Sequence, residues 1–140
     1  MEKVPKDVLI LFAVELDLPS LLRFCRSSKM VNEKVCKQDD IWKYKLNKEF
    51  PDYFILKLNK SFREIYTLLY NLTILKQKLK RGESIYELYN LQELSLNGKK
   101  LKEIPKELGN LSNLQQLWLL HNNQLRLKNV PKELKLKILY

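Results

Sequence analysis

The sequence predicts an α+β protein in which a helical N-terminal module precedes a short run of repeats. Two patterns carry this prediction: apolar residues recur at helical spacing up to about Leu79, and from about Ile85 onward they follow a longer repeat. The 140 residues include only 3 glycines and 5 prolines, which disfavours a turn-rich β-sandwich. We therefore expect a helical module over 1–50, a helical linker that caps the repeats over 51–82, and the repeats themselves over 83–140.

The first two helices are marked by proline and aspartate. A helix is predicted from about Lys6 to Leu16, because Pro5 is tolerated at its start. Asp17 is of the type that caps a following helix, and Pro19 then falls in the first turn of that helix.

Three further helices are predicted before the repeats begin. A short one is expected around Met30 to Cys36, and a fourth is expected to use Asp39 or Asp40 as its cap. The longest runs from about Lys60 to Leu79 and ends at Lys80, Arg81 and Gly82, since glycine readily adopts the left-handed conformation that closes a helix.

The C-terminal region repeats with a period of 23 residues, since three leucines recur as three others: Leu91, Leu94 and Leu96 as Leu114, Leu117 and Leu119. A phrase also returns, at 104–108 and again at 130–134, with about three residues inserted around 121–125. The pattern LxxLxL at this period is the leucine-rich-repeat signature. It predicts a short solenoid of about two repeats and a partial third, with an uncapped C-terminal edge.

The first 42 residues resemble an F-box, and the matching segments are Val4–Leu9, Leu16–Arg23, Cys25 and Asp39–Trp42. The chain departs from the family pattern at Val4, where leucine is usual, and at 27–30, where a valine, a cysteine and a second tryptophan are common. With the repeats and the lysine-rich composition, the chain is similar to the F-box repeat proteins of large DNA viruses.

This resemblance implies that the N-terminal module binds a Skp adaptor and thereby joins an SCF-type ubiquitin ligase, while the repeats hold a target protein. Three short helices cannot bury all their apolar side chains among themselves, so an apolar docking patch is expected. The alternative is that the fourth and fifth predicted helices cover this patch, and for any single residue core packing is favoured over partner contact. The predicted adaptor contacts are Val4, Pro5, Val8, Leu9, Phe12, Leu16, Leu18, Pro19, Leu21, Leu22 and Trp42.

The target protein is expected on the concave face of the repeats. Strand alternation sends Ser95 and Trp118 to that face, and Trp118 is either a binding anchor or packed against an adjoining copy or the helical region. Asn122 falls where the repeat pattern places a structural asparagine. The predicted target-binding residues are Glu93, Ser95, Asn97, Gln116, Trp118, Leu120 and His121.

Catalytic, cofactor and metal sites are not predicted. The only histidine, His121, is far in sequence from both cysteines, and the glycines form no phosphate-binding loop. Two cysteines and one histidine make a poor zinc set. Cys25 and Cys36 are interpreted as reduced thiols of an intracellular protein, cytoplasmic or nuclear and in the host cell if viral, and no export signal or membrane partner is expected.

The net charge of +10 raises a third hypothesis, a nucleic-acid-binding protein. Only five of the 26 basic residues are arginines and the lysines are scattered, so a solvated surface is favoured. The leading hypothesis is a ubiquitin-ligase adaptor. The alternative is a scaffold or decoy that binds the same partners without delivering them for ubiquitination.

Overall fold

The computed structural model describes residues 5–127, 130, 132–135 and 137–139. The chain divides into two compact units after Tyr70, which we call the helical unit and the sheet unit. Val4, a predicted adaptor contact, lies outside the described residues. The expected division into three segments, over 1–50, 51–82 and 83–140, stays a prediction.

The helical unit consists of short helices joined by tight turns. Its elements are α1 (Lys6–Val14), α2 (Leu18–Ser27), α3 (Lys29–Val31), a π-helical turn (Asn32–Cys36), α4 (Asp39–Glu49), a 3-10 helix (Tyr53–Leu56) and the first part of α5 (Phe62–Leu79). The π-helical turn contacts α1, α2 and α4, and α1 also contacts α4. The apolar side chains at the centre of the unit are Leu9, Ala13, Val14, Leu18, Leu21, Val31, Val35, Ile41, Trp42, Leu46 and Ile65, all of which are buried.

One of the predicted helix caps is confirmed and another is wrong. The prediction that Asp17 caps α2 is confirmed, because its Oδ1 accepts a hydrogen bond from the Ser20 amide at 2.9 Å. Ser61 caps α5 in the same way, with the Glu64 amide donating to its hydroxyl oxygen at 3.2 Å. The predicted cap of α4 is wrong, since Asp39 and Asp40 both lie inside its first turn. There their charges favour the positive end of the helix dipole.

Cys25 and Cys36 form a disulfide, so their interpretation as reduced thiols is wrong. The two cysteines have no CxxC spacing, but α2 and the π-helical turn pack together and bring the two Cα atoms to 5.9 Å. That distance lies within the range a disulfide can bridge.

The sheet unit contains the remainder of α5, then α6 (Ile85–Tyr89), β1 (Glu93–Ser95), a 3-10 helix (Lys106–Asn110), β2 (Gln116–Trp118), α7 (Lys132–Lys135) and β3 (Ile138–Leu139). The three strands are parallel and lie in the order β1-β2-β3. In this register Leu94 pairs with Leu117, 23 positions apart, so the sequence period appears as strand pairing. The interior of the unit is lined by Leu72, Leu75, Leu88, Leu94, Leu96, Leu108, Leu111, Leu114, Leu117, Leu119 and Leu134.

The predicted fold class, an α+β protein with a leucine-rich-repeat solenoid, is wrong. The described chain is mostly helical and carries one small sheet whose strands have three, three and two residues. The segments that follow β1 and β2 also differ, one being a 3-10 helix and the other a four-residue α-helix. A solenoid requires at least three similar units that bury one another's faces, and two full copies with an insertion between them do not supply these.

The helices that the structure describes include none that is both long enough and apolar enough to cross a bilayer.

Candidate functional site

An exposed apolar face on α1 is the clearest candidate for partner binding in the helical unit. Val8, Leu11 and Phe12 are 50%, 66% and 55% exposed, whereas Leu9 and Ala13 on the opposite side of the helix are buried. Residues at i, i+3 and i+4 share one side of a helix, so the three exposed side chains form a continuous row. We call this row the α1 face.

The α1 face is anchored at one end by an aromatic contact. The Phe12 ring meets the Phe24 ring of α2 edge-on, with 5.1 Å between the centroids. Edge-to-face contacts restrain ring orientation and add roughly 0.5–1.5 kcal/mol beyond area burial. Phe12 therefore holds a defined orientation although half of its surface meets solvent.

The predicted adaptor contacts fall into three groups in the structure. Pro5, Val8, Phe12 and Pro19 are exposed, and Leu16 and Leu22 are half-buried. The buried members are Leu9, Leu18, Leu21 and Trp42. These four are available to a partner only if the unit opens, so they act in the native structure as core.

Leu11, the most exposed of the three residues of the α1 face, was not among the predicted adaptor contacts. A signal was present, because 8–14 is apolar throughout and a helix built from such a run has no polar side to turn toward solvent. Part of the run therefore had to remain exposed or meet a partner.

A buried lysine fixes the C-terminal end of α1. Lys45 Nζ donates to the carbonyl oxygens of Val14 at 3.2 Å and of Leu16 at 2.7 Å, although only 1% of the Lys45 side chain is exposed. The last carbonyls of a helix have no intrahelical partner, and a cation placed there also complements the helix dipole. Lys45 thus joins α4 to the end of the helix that carries the α1 face.

The charge of Lys45 is balanced within the same cluster. Glu49 Oε2 lies 3.0 Å from Lys45 Nζ, and the Tyr66 hydroxyl donates to both Glu49 oxygens at 2.9 Å. The Lys45 ammonium also lies 5.1 Å from the centre of the Tyr66 ring. Burial, together with the Glu49 carboxylate, raises the pKa of the Tyr66 hydroxyl well above its usual range, so the hydroxyl remains a donor.

Trp42 is held by contacts on two sides. Its indole N–H donates to the Cys36 carbonyl at 2.8 Å, and the Arg63 guanidinium lies 5.1 Å from its ring centre. With 1% exposure, the ring fills the interior of the helical unit. Its role is to support the module from inside.

In the sheet unit, one row of side chains crosses the face opposite the leucine core. Ser95 pairs with Trp118, and Trp118 pairs with Leu139, so these three share a side of the sheet. Ser95 is exposed and Trp118 is half-buried, while Leu94 and Leu117 face inward. The expected alternation in these strands is therefore confirmed.

The other predicted target-binding residues differ in how far they are exposed, and one of them has a structural contact. Glu93 is exposed and Gln116 and Leu120 are half-buried, whereas His121 is exposed on a turn with φ +60°. Asn97 has a structural contact that its sequence position did not predict, because its Oδ1 accepts a hydrogen bond from the Leu120 amide at 2.6 Å.

The prediction that Asn122 is structural is confirmed. Its Nδ2 donates to the carbonyls of Leu96 at 2.8 Å and Leu119 at 3.0 Å, with a longer contact to Leu120 at 3.3 Å. Its Oδ1 accepts from the Leu101 amide at 3.0 Å. One buried amide therefore ties together two successive turns that follow the strands.

Within the part of the chain that the structure describes, no group of three or more His, Cys, Asp or Glu residues is placed to hold a metal ion. His121 and the two disulfide-bonded cysteines lie in different units. Comparisons with protein families, with curated proteins and with solved structures find no match to this chain.

Proposed function

We propose that this chain is a non-enzymatic adaptor that binds a Skp adaptor of an SCF-type ubiquitin ligase through its helical unit and holds a target protein on the sheet unit. The observation that carries the proposal is the α1 face, a row of three exposed apolar side chains on a helix whose other side is core. Exposed apolar rows of this kind mark sites where a helix lies in a partner's groove.

The construction of the module supports a docking role for α1. Lys45 and the Phe12–Phe24 contact restrain the helix before any partner arrives. Restraint in the bound geometry lowers the entropy that binding must overcome. The α1 face therefore presents a pre-organised surface.

The sheet unit supplies the second half of the proposal. Trp118 lies between Ser95 and Leu139 on the outward side of the sheet, and tryptophan is among the residues that contribute most to protein interfaces. The target is proposed to contact this row.

The test measures binding of a purified Skp adaptor to the intact chain by calorimetry. Val8→Asp with Leu11→Asp should weaken binding at least tenfold, because two charges would enter an apolar contact. Ile55→Asp is the matched control, since Ile55 is 53% exposed in the same unit but lies on the 3-10 helix. Leu21 is unsuitable for this test because it is fully buried.

Absence of adaptor binding by the wild-type chain, or unchanged binding by a folded Val8/Leu11 double variant, would remove the proposal. Circular dichroism checks that each variant is folded. A reconstituted ligase then separates an adaptor from a scaffold or decoy, because only an adaptor promotes ubiquitination of a protein that the chain has captured.

A further inference from the structure

A cavity of about 400 Å³ opens between α2, α3 and the start of α5. Leu22 and the disulfide-bonded Cys25 supply its apolar lining. Three cations from three different helices surround it: Arg26, Lys29 and Arg63.

The charge of this cavity is one-sided. Its lining contains no carboxylate, and the described ion pairs of the chain use other cations, namely Lys45, Lys48, Lys78 and Arg81. Like charges that line one cavity repel one another, and an anion bound in that cavity would relieve the repulsion.

Arg63 is restrained while its donors are left available. Its guanidinium lies over the buried Trp42 ring, a contact that engages the cation through the ring face and uses none of its N–H groups. A guanidinium held in this way matches the paired oxygens of a phosphate.

Two neutral groups complete the lining. Ser28 Oγ accepts from the Val31 amide at 3.0 Å, which leaves its hydroxyl hydrogen free to donate. The Asn32 side chain adds an amide donor. The cavity thus combines three cationic groups, two neutral donors and the apolar lining from Leu22 and Cys25.

From this arrangement we infer a binding site for a phosphate monoester, in which the phosphoryl oxygens meet the three cations and the organic group rests against Leu22 and Cys25. The site shares no residue with the α1 face, although Leu22 is also one of the adaptor contacts predicted from the sequence.

The experiment titrates the intact chain with inorganic phosphate, phenyl phosphate and a short peptide with a single phosphoserine, following the Nε–H signals of Arg26 and Arg63 by NMR. Sodium chloride at equal ionic strength is the reference, because general screening would act in both titrations. Saturable shifts with any of the three phosphates support the site. Tighter binding of the phenyl ester or of the peptide identifies the source of the phosphoryl group.

Arg26→Gln and Arg63→Gln should each weaken phosphate binding about tenfold, as expected for loss of one charge-assisted hydrogen bond. Lys34→Gln is the control, since Lys34 is an exposed cation of the same unit outside the cavity. Because Arg63 contacts Trp42, Arg26→Gln keeps the test valid if Arg63→Gln disturbs the fold.

Shifts that chloride reproduces at equal ionic strength would overturn the inference. The same conclusion follows if Lys34→Gln weakens binding as much as Arg26→Gln does, because the effect would then be general surface attraction.

Discussion

The helical unit and the sheet unit both use one buried polar side chain to satisfy backbone groups at the ends of their elements. In the helical unit this side chain is Lys45, which donates to the carbonyls of Val14 and Leu16. In the sheet unit it is Asn122, which donates to carbonyls that follow two strands and accepts from the amide of Leu101.

The two solutions differ in charge. An amide donates and accepts without carrying charge, so Asn122 needs no counter-ion in its buried turn. An ammonium group only donates, and its burial requires an anion close by, which Glu49 provides from a position that is 36% exposed. The buried polar group of the helical unit therefore depends on an ion pair, whereas that of the sheet unit depends on neutral hydrogen bonds.

The largest expected effect separates the two tryptophans. Trp42→Ala should lower the stability of the helical unit by about 3–5 kcal/mol, because a buried ring is removed and the Cys36 carbonyl loses its donor. Trp118→Ala should cost the sheet unit about 1–2 kcal/mol, since that ring is only half-buried. Native-state hydrogen exchange measures each unit separately. Equal losses would contradict the assignment of Trp42 to core and of Trp118 to a surface row.

A smaller loss of stability is expected when Lys45 or Asn122 is replaced, and it tests the comparison between these two side chains. Lys45→Met and Asn122→Leu should each cost about 2–3 kcal/mol, because each leaves buried carbonyls without a donor. A double-mutant cycle distinguishes their mechanisms. Lys45 and Glu49 should show a coupling of about 0.5–1 kcal/mol, whereas Asn122 makes only neutral hydrogen bonds to the backbone and has no ion-pair partner to couple to. No coupling between Lys45 and Glu49 would mean that the charge of Lys45 is balanced by other groups.

The smallest expected effect is a loss of stability at acidic pH, which comes from the ion pair between Glu107 and Lys78 in the sheet unit. Burial alone would raise the pKa of Glu107, but hydrogen bonds from Lys78 at 2.9 and 3.1 Å help to hold that pKa below its usual value. A carboxyl whose pKa is lower in the folded state stabilises the fold above its unfolded pKa, and this contribution is lost as the pH falls through the folded value.

The contribution of Glu107 should therefore be complete above about pH 5 and disappear in more acidic solution, with a size of about 0.5–1 kcal/mol because Lys78 is partly exposed. Glu107→Gln should flatten the acid limb of a urea-denaturation series measured against pH. Glu87→Gln, at an exposed position of the same unit, should leave that limb unchanged. An acid limb that stays steep in Glu107→Gln would assign the pH dependence to other carboxylates.

Local chemistry determined much of what the sequence could predict. The Asp17 cap involves residues three positions apart, and nearby hydrogen bonds of this kind depend little on the rest of the fold. The inward and outward alternation of Leu94, Ser95, Leu117 and Trp118 follows from strand geometry in the same way. The 23-residue period likewise reappears as the register between β1 and β2.

Only the tertiary structure decided the features that depend on distant partners. Lys45 reaches a carbonyl 31 positions away, and its burial gives no periodic signal because lysine is normally read as a surface residue. The Cys25–Cys36 disulfide and the cation cluster around Arg63 depend in the same way on how the helices pack. Packing also decided which part of the apolar run in α1 became core and which part became the α1 face. A run that is apolar on all sides specifies burial without specifying direction.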